Sequence, residues 1–321
     1  MQIAGALAAL VAGVFAVTAA AFPCAAAKRS QFTSAGAIQE WINGYRAKPE
    51  PDKLPVALKA MSDLGVFRDV DSAGLYFGFA AGVLSANPKR AETLIARSFP
   101  MPPSDQVAIV RAIAWSGMPQ WKTVMRKFIE RMPARKVLIE RHLYGKLPDL
   151  MNLPLDESPV GLDALWGYYY ATGSAVPVRR IVSILPWSKE QNSVDKLTVG
   201  NMAKLTLAIN ASRDVDLVLI LRRELPKQNK QARLVLSEVI EAAETFETGK
   251  IRKQALAAIE ELKRKGPESA RRFSWWGQAG QTALAIGCVA ASAMGQVQVG
   301  IPCVVGGAAS SAALKLFTPQ Q

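Results

Sequence analysis

Three carboxylates in LDESPVGLDAL, Asp156, Glu157 and Asp163, are the nearest approach to a catalytic cluster in this sequence. A pair of such groups hydrolyses glycosidic bonds, one as general acid and the other as nucleophile or base. A turn followed by a helix start gives a second reason for the same residues, because Asp is favoured there. Other chemistry is sparsely supplied. The single histidine, His142 in RHLYGK, has no nucleophile motif such as G-x-S-x-G near it. Structural zinc needs several Cys and His ligands, and the chain has three cysteines beside that one histidine. TGK at 248–250 ends as a phosphate loop does, yet Glu244 stands where the first glycine of that motif belongs. No catalytic residue, cofactor or metal is assigned on these grounds. The residues point to a binding protein, with a glycan hydrolase using carboxylates near Asp156–Asp163 as the alternative.

Two stretches have the composition of binding surfaces. LWGYYYATG, residues 165–173, holds Trp166, Tyr168, Tyr169 and Tyr170. Successive helical residues point about 100° apart, so one of the three tyrosines is expected to face away from the core and toward a partner. The second stretch is basic. Eight cations, Lys122, Arg126, Lys127, Arg131, Arg135, Lys136, Arg141 and Lys146, lie against Glu130 and Glu140. Lys122 and Arg126 are four apart, as are Lys127 and Arg131, so each pair shares a helix face. Such a patch suits anionic lipid headgroups. The chain as a whole carries +13. For an exported protein, lipid or an envelope polymer outranks nucleic acid as the anionic partner.

The elements that hold these stretches repeat. Residues 74–100, 106–133, 162–186 and 202–226 each read as an apolar helical segment, a turn, a second helix and a proline. Gly82, Gly117, Gly173 and Asn210 are expected to stop the first helices, as residue types that tolerate a left-handed cap. Pro88, Pro119 and Pro177 are expected to start the second helices, and Asp214 takes that place in the fourth unit. Pro100, Pro133, Pro186 and Pro226 end them. A fainter unit at 37–65 stops at Gly44. Three of the four intervals between stops fall within the roughly 34–47 residues of helical-hairpin repeats. The long interval carries an insertion at 135–159. Residues after Pro226 read as a terminal helical cap. The fold class expected is all-α, with about five stacked hairpins over 37–266. This layout resembles the α-solenoids, the class that includes tetratricopeptide and HEAT repeats. The resemblance implies a scaffold that binds a protein partner on its surface.

Apart from Lys315, the two ends carry no charged side chain. Residues 1–27 combine an apolar run with Ala25 and Ala27 at A-x-A spacing, which reads as an export signal cleaved before Lys28. The rival reading is an uncleaved anchor holding the body on the cytoplasmic face, since about 20 apolar residues span a bilayer. Residues 273–317 read as a helical hairpin. Ala279, Ala283, Gly287, Ala291 and Gly295 recur every four residues, a ridge that lets helices approach closely in a membrane or an oligomer. Cys288 and Cys303 are candidates for a disulfide in an oxidising compartment. That bridge requires the first helix to end early, because Cys288 otherwise lies about 10 Å from the apex that Cys303 occupies. The expected protein is thus an envelope-associated, non-enzymatic scaffold.

Overall fold

The computed structural model describes residues 32–245, apart from 157 and 159, together with position 257. The N-terminal segment 1–27 and the hairpin 273–317 lie outside these residues. Among the described residues all regular structure is helical. Twelve α-helices follow one another: α1 Ala35–Gly44, α2 Leu54–Asp63, α3 Gly74–Ala86, α4 Ala91–Arg97, α5 Val107–Trp115, α6 Trp121–Phe128, α7 Lys136–Tyr144, α8 Val160–Thr172, α9 Ala175–Ser183, α10 Val194–Ala211, α11 Val215–Glu224 and α12 Lys230–Glu244.

Local sequence sets most of the boundaries. Ser34, Ser174, Ser193, Asp214 and Asn229 each precede a helix and accept a hydrogen bond from a backbone N–H in its first turn. Asp214 therefore starts α11 by capping as well as by charge. Gly117 and Gly173 follow α5 and α8 with φ of +67° and +65°, the left-handed stops expected of them. Pro133, Pro186 and Pro226 fall in short 3-10 turns after the second helices. The insertion at 135–159 contains α7. One expected stop is not a stop: α3 continues past Gly82 to Ala86, whereas α10 ends at Ala211, one residue beyond Asn210. Gly82 is used for packing instead: a Cβ there would lie 2.6 Å from the Ala171 methyl and 3.0 Å from the Tyr168 carbonyl.

That packing governs the centre of the molecule. Every residue from Gly74 to Leu84 is buried, and α8 is buried over nearly its whole length. A helix apolar all round must be enclosed all round. α3 and α8 lie side by side along their lengths. A Cβ on Gly78 would sit 1.9 Å from the Ala164 carbonyl oxygen, and one on Gly167 would sit 2.0 Å from that of Leu75. The two backbones touch, and only glycine fits. α5 packs on the far side of α3. α1 sets Trp41 and Tyr45 edge-on against Phe79, with ring centres 5.0 and 5.1 Å away. α10 packs against the turn Leu185–Lys189 and against α12. The principal pairing is therefore between helices far apart in sequence, whereas strict nearest-neighbour stacking would join successive units.

Candidate functional site

The four aromatic residues of α8 are interior. Trp166 and Tyr169 are fully enclosed, Tyr170 is buried and Tyr168 is half-buried. Tyr169 and Tyr170 are therefore not the outward-facing residue expected on α8, and Tyr168 keeps only part of its surface exposed. Each of three polar tips finds an internal partner. Tyr168 donates to Ser85 Oγ at 2.7 Å, which ties α8 to α3. Trp166 Nε1 donates to Thr206 Oγ1 of α10 at 3.0 Å. Tyr169 donates to Asp214 Oδ2 at 2.7 Å and accepts from Arg46 Nη1 at 3.0 Å. Arg46 also pairs with Asp214 and lies 4.7 Å over the Tyr169 ring. Burial, then the bond to Asp214, pushes the Tyr169 phenol well above its ordinary range, so it stays a donor. This network clamps the end of α1, the middle of α8 and the start of α11.

The carboxylates of the hydrolase reading have unlike surroundings. Asp156 is partly exposed, with Lys196 Nζ 4.0 Å away. Glu157 lies outside the described residues. Asp163 is 3% exposed in the α3–α8 interface, and its Oδ1 has no hydrogen-bond partner. Burial pushes its pKa up to about 8, so it is a neutral acid at pH 7. Asp156 meets solvent and a lysine, whereas Asp163 meets the backbone at Gly74. Hydrolysis needs both carboxylates to face one bond. Among the described residues, no group of His, Cys, Asp and Glu is placed to hold a metal.

The basic stretch is at the surface. Lys122, Arg126, Lys127, Arg131 and Lys136 are exposed, and Arg135 is half-buried. Lys127 pairs with Glu92 at 2.6 Å. Arg135 donates to the carbonyls of Pro103 and Ser104 at 2.9 and 2.7 Å, so it braces the loop before α5. Arg131 leans on the Phe99 and Phe128 rings, 5.7 Å from each, and Lys122 lies 5.5 Å from the Trp121 ring centre. Sequence reasoning missed what accompanies these cations. Val137 and Tyr144 on α7 are 72% and 70% exposed. They are seven residues apart, so they share a face with Arg141 between them. That spacing was the available signal. The small-residue ridge, Ala279, Ala283, Gly287, Ala291 and Gly295, lies outside the described residues, as do Cys288 and Cys303.

Comparison with protein-family models, with curated proteins and with solved structures finds no match to this chain. Among the described residues no helix is long and apolar enough to cross a membrane.

Proposed function

We propose that this chain is a non-catalytic, envelope-associated scaffold of helical hairpins, joined through the long-range α3–α8 pairing, that rests its α6–α7 surface on an anionic membrane. The carrying observation is the exposure of Val137 and Tyr144 among exposed Lys136, Arg141 and Lys146, beside Lys122, Arg126 and Arg131. Interfacial surfaces combine these two features: apolar and aromatic side chains enter the headgroup boundary, and cations pair with anionic lipid. Each such cation contributes about 1 kcal/mol near the surface, so a handful binds measurably in low salt. The uncharged sequences at 1–27 and 273–314 support the same compartment. A cleaved signal puts the surface outside the inner membrane, and an uncleaved anchor puts it on the cytoplasmic face. Support for a protein partner comes from α11, where Val215 and Leu219 are 75% and 45% exposed and four residues apart.

Co-sedimentation with vesicles tests the reading. The protein should pellet with vesicles containing phosphatidylglycerol and stay in solution with phosphatidylcholine alone. Rising salt should release it. Lys136→Glu with Arg141→Glu should abolish pelleting, and Tyr144→Ser should weaken it several-fold, with thermal melts unchanged. Equal binding to neutral vesicles, or no response to charge reversal, would refute the proposal.

A further inference from the structure

α11 sends one face inward and shows the other to solvent. Leu217, Leu221 and Glu224 are buried, and α9, α10 and α12 pack against the helix. The opposite face is centred on Leu219, which is 45% exposed. At 100° per residue, Val215 and Arg222 flank Leu219 on one side, and Asp216 and Arg223 flank it on the other. All four flanking residues are exposed. The Asp216 side chain is 78% exposed, with Arg46 Nη1 3.9 Å away. Arg222 pairs with Glu244 at 2.5 Å.

This face matches itself. Two copies of a helix, laid face to face and antiparallel, are related by a two-fold axis that runs between them and across both. With the axis level with Leu219, the two Leu219 side chains meet. Each flank then meets the same flank of the second copy, turned end for end. Asp216 lies three residues before Leu219 and Arg223 four after it, about 4.5 and 6 Å along the helix. Asp216 of each copy is therefore level with Arg223 of the other to within about 1.5 Å, and two ion pairs form. On the other flank Val215 comes level with Arg222, whose aliphatic stem covers it. A parallel arrangement would set Asp216 against Asp216 and Arg223 against Arg223, so charge selects the antiparallel pair. One helix face is a small interface, and exposed ion pairs are weak, so the pairing depends on concentration.

We infer that Val215, Asp216, Leu219, Arg222 and Arg223 form a docking surface for a second copy of this chain, α11 against α11. The inference rests on the reading of α11 as a partner face and names that partner. It does not depend on lipid binding by α6 and α7.

Sedimentation of the full-length protein over a range of concentrations tests it. The mass should rise from one copy toward two. Arg223→Asp sets acid against acid, and Asp216→Arg sets cation against cation, so each alone should weaken self-association at least tenfold. Mixed in equal amounts, the two variants should associate about as strongly as wild type, because each cation then meets an acid. Leu219→Ser should weaken self-association several-fold. Thermal melts report folding, and if either charge reversal does not fold, Leu219→Ser decides the question. A wild-type chain that stays monomeric at every concentration overturns the inference. Self-association unmoved by the reversals, or by Leu219→Ser, overturns it as well and points to another surface. Loss in both single variants without recovery on mixing also overturns it, and leaves α11 to another segment of its own chain or to an unlike protein. None of these measurements uses vesicles, so failure here is separate from failure of the membrane reading.

Discussion

α8 and α7 are both helices with aromatic residues, and they use them in opposite ways. On α8, Trp166, Tyr168 and Tyr169 each end in a hydrogen bond to another helix or helix cap. Apolar surface, backbone and these three donors are engaged there, while Asp163 Oδ1 on the same helix has no partner. On α7, Tyr144 and Val137 face solvent, and neighbouring Arg111 and Trp115 hold enclosed N–H groups without acceptors. Buried polar groups in proteins are nearly always paired. The contrast separates a helix whose aromatic side chains are tied into the interior from one that shows an aromatic side chain to solvent.

The largest effect expected is on the α8 side. Gly78→Ala puts a methyl against the Ala164 carbonyl, and Gly167→Ala puts one against that of Leu75. Backbone cannot yield as a flexible side chain does, so each should cost more than about 4 kcal/mol or prevent folding. Gly44→Ala is the control. It has nothing within 4 Å and should be neutral or gain up to about 1 kcal/mol. Chemical denaturation of the three variants checks this. If Gly78→Ala and Gly44→Ala proved equally stable, the close α3–α8 approach would be wrong. Next in size is the clamp. Asp214→Ala removes a helix cap, the Arg46 pair and the Tyr169 acceptor together. It should cost about 3 kcal/mol, and Tyr169→Phe about 1–2 kcal/mol. A double-mutant cycle between positions 46 and 214 should show clear coupling.

These two sets of residues also mark what could be read in advance. The hairpins, the left-handed glycines at 117 and 173 and the helix start at Asp214 follow rules that act within a few residues. Gly82 obeys no such rule. The same residue type stops a helix or lets another helix approach, and the choice depends on α8, which lies more than seventy residues on. The i, i+4 series Gly74, Gly78, Gly82 was the signal, the same spacing that draws attention to 279–295. The tyrosines of α8 mislead for a related reason: three directions include an outward one only if the helix lies at the surface. Charge was easier to place, because unpaired cations are rarely buried, and the 122–146 stretch is at the surface. Arg111 is the exception, and its mark in the sequence is a lone cation within VAIVRAIAW.

Two titratable groups carry the comparison into pH. Asp163, on α8, titrates at about 8 in the folded chain against 3.8 for a free carboxyl. The folded state then holds a proton that the unfolded state has lost, so stability falls as pH rises through that window. His142, on α7, titrates at about 4 against 6.5. Here the unfolded state holds the extra proton, so stability falls as pH drops from 6.5 toward 4. The two slopes oppose one another between about 4 and 6.5, and Asp163 acts alone above that. Asp163→Asn should remove the decline between pH 6.5 and 8, an effect on the order of a few kcal/mol. His142→Phe should leave a decline running through the whole range. Denaturation midpoints at several pH values check both, and an unchanged profile in Asp163→Asn would mean that its carboxyl is not buried.

The smallest effect on stability belongs to the outer face of α7, and there a null result is the informative one. Val137 and Tyr144 are mostly in water, so Val137→Ser and Tyr144→Ser remove little packing and should move the folding free energy by no more than about 0.5 kcal/mol. On a purely structural helix that would end their importance. On an interfacial surface the same substitutions remove the side chains that enter the lipid, at roughly 25 cal/mol per Å² of apolar area, while leaving every cation in place. Binding to phosphatidylglycerol vesicles should then weaken several-fold at fixed salt, and the salt dependence should stay as in wild type, because the charges are unchanged. Equal stability with equal binding would reduce the exposed tyrosine to an ordinary surface residue. A change in salt dependence would instead mean that the substitution had moved the neighbouring cations.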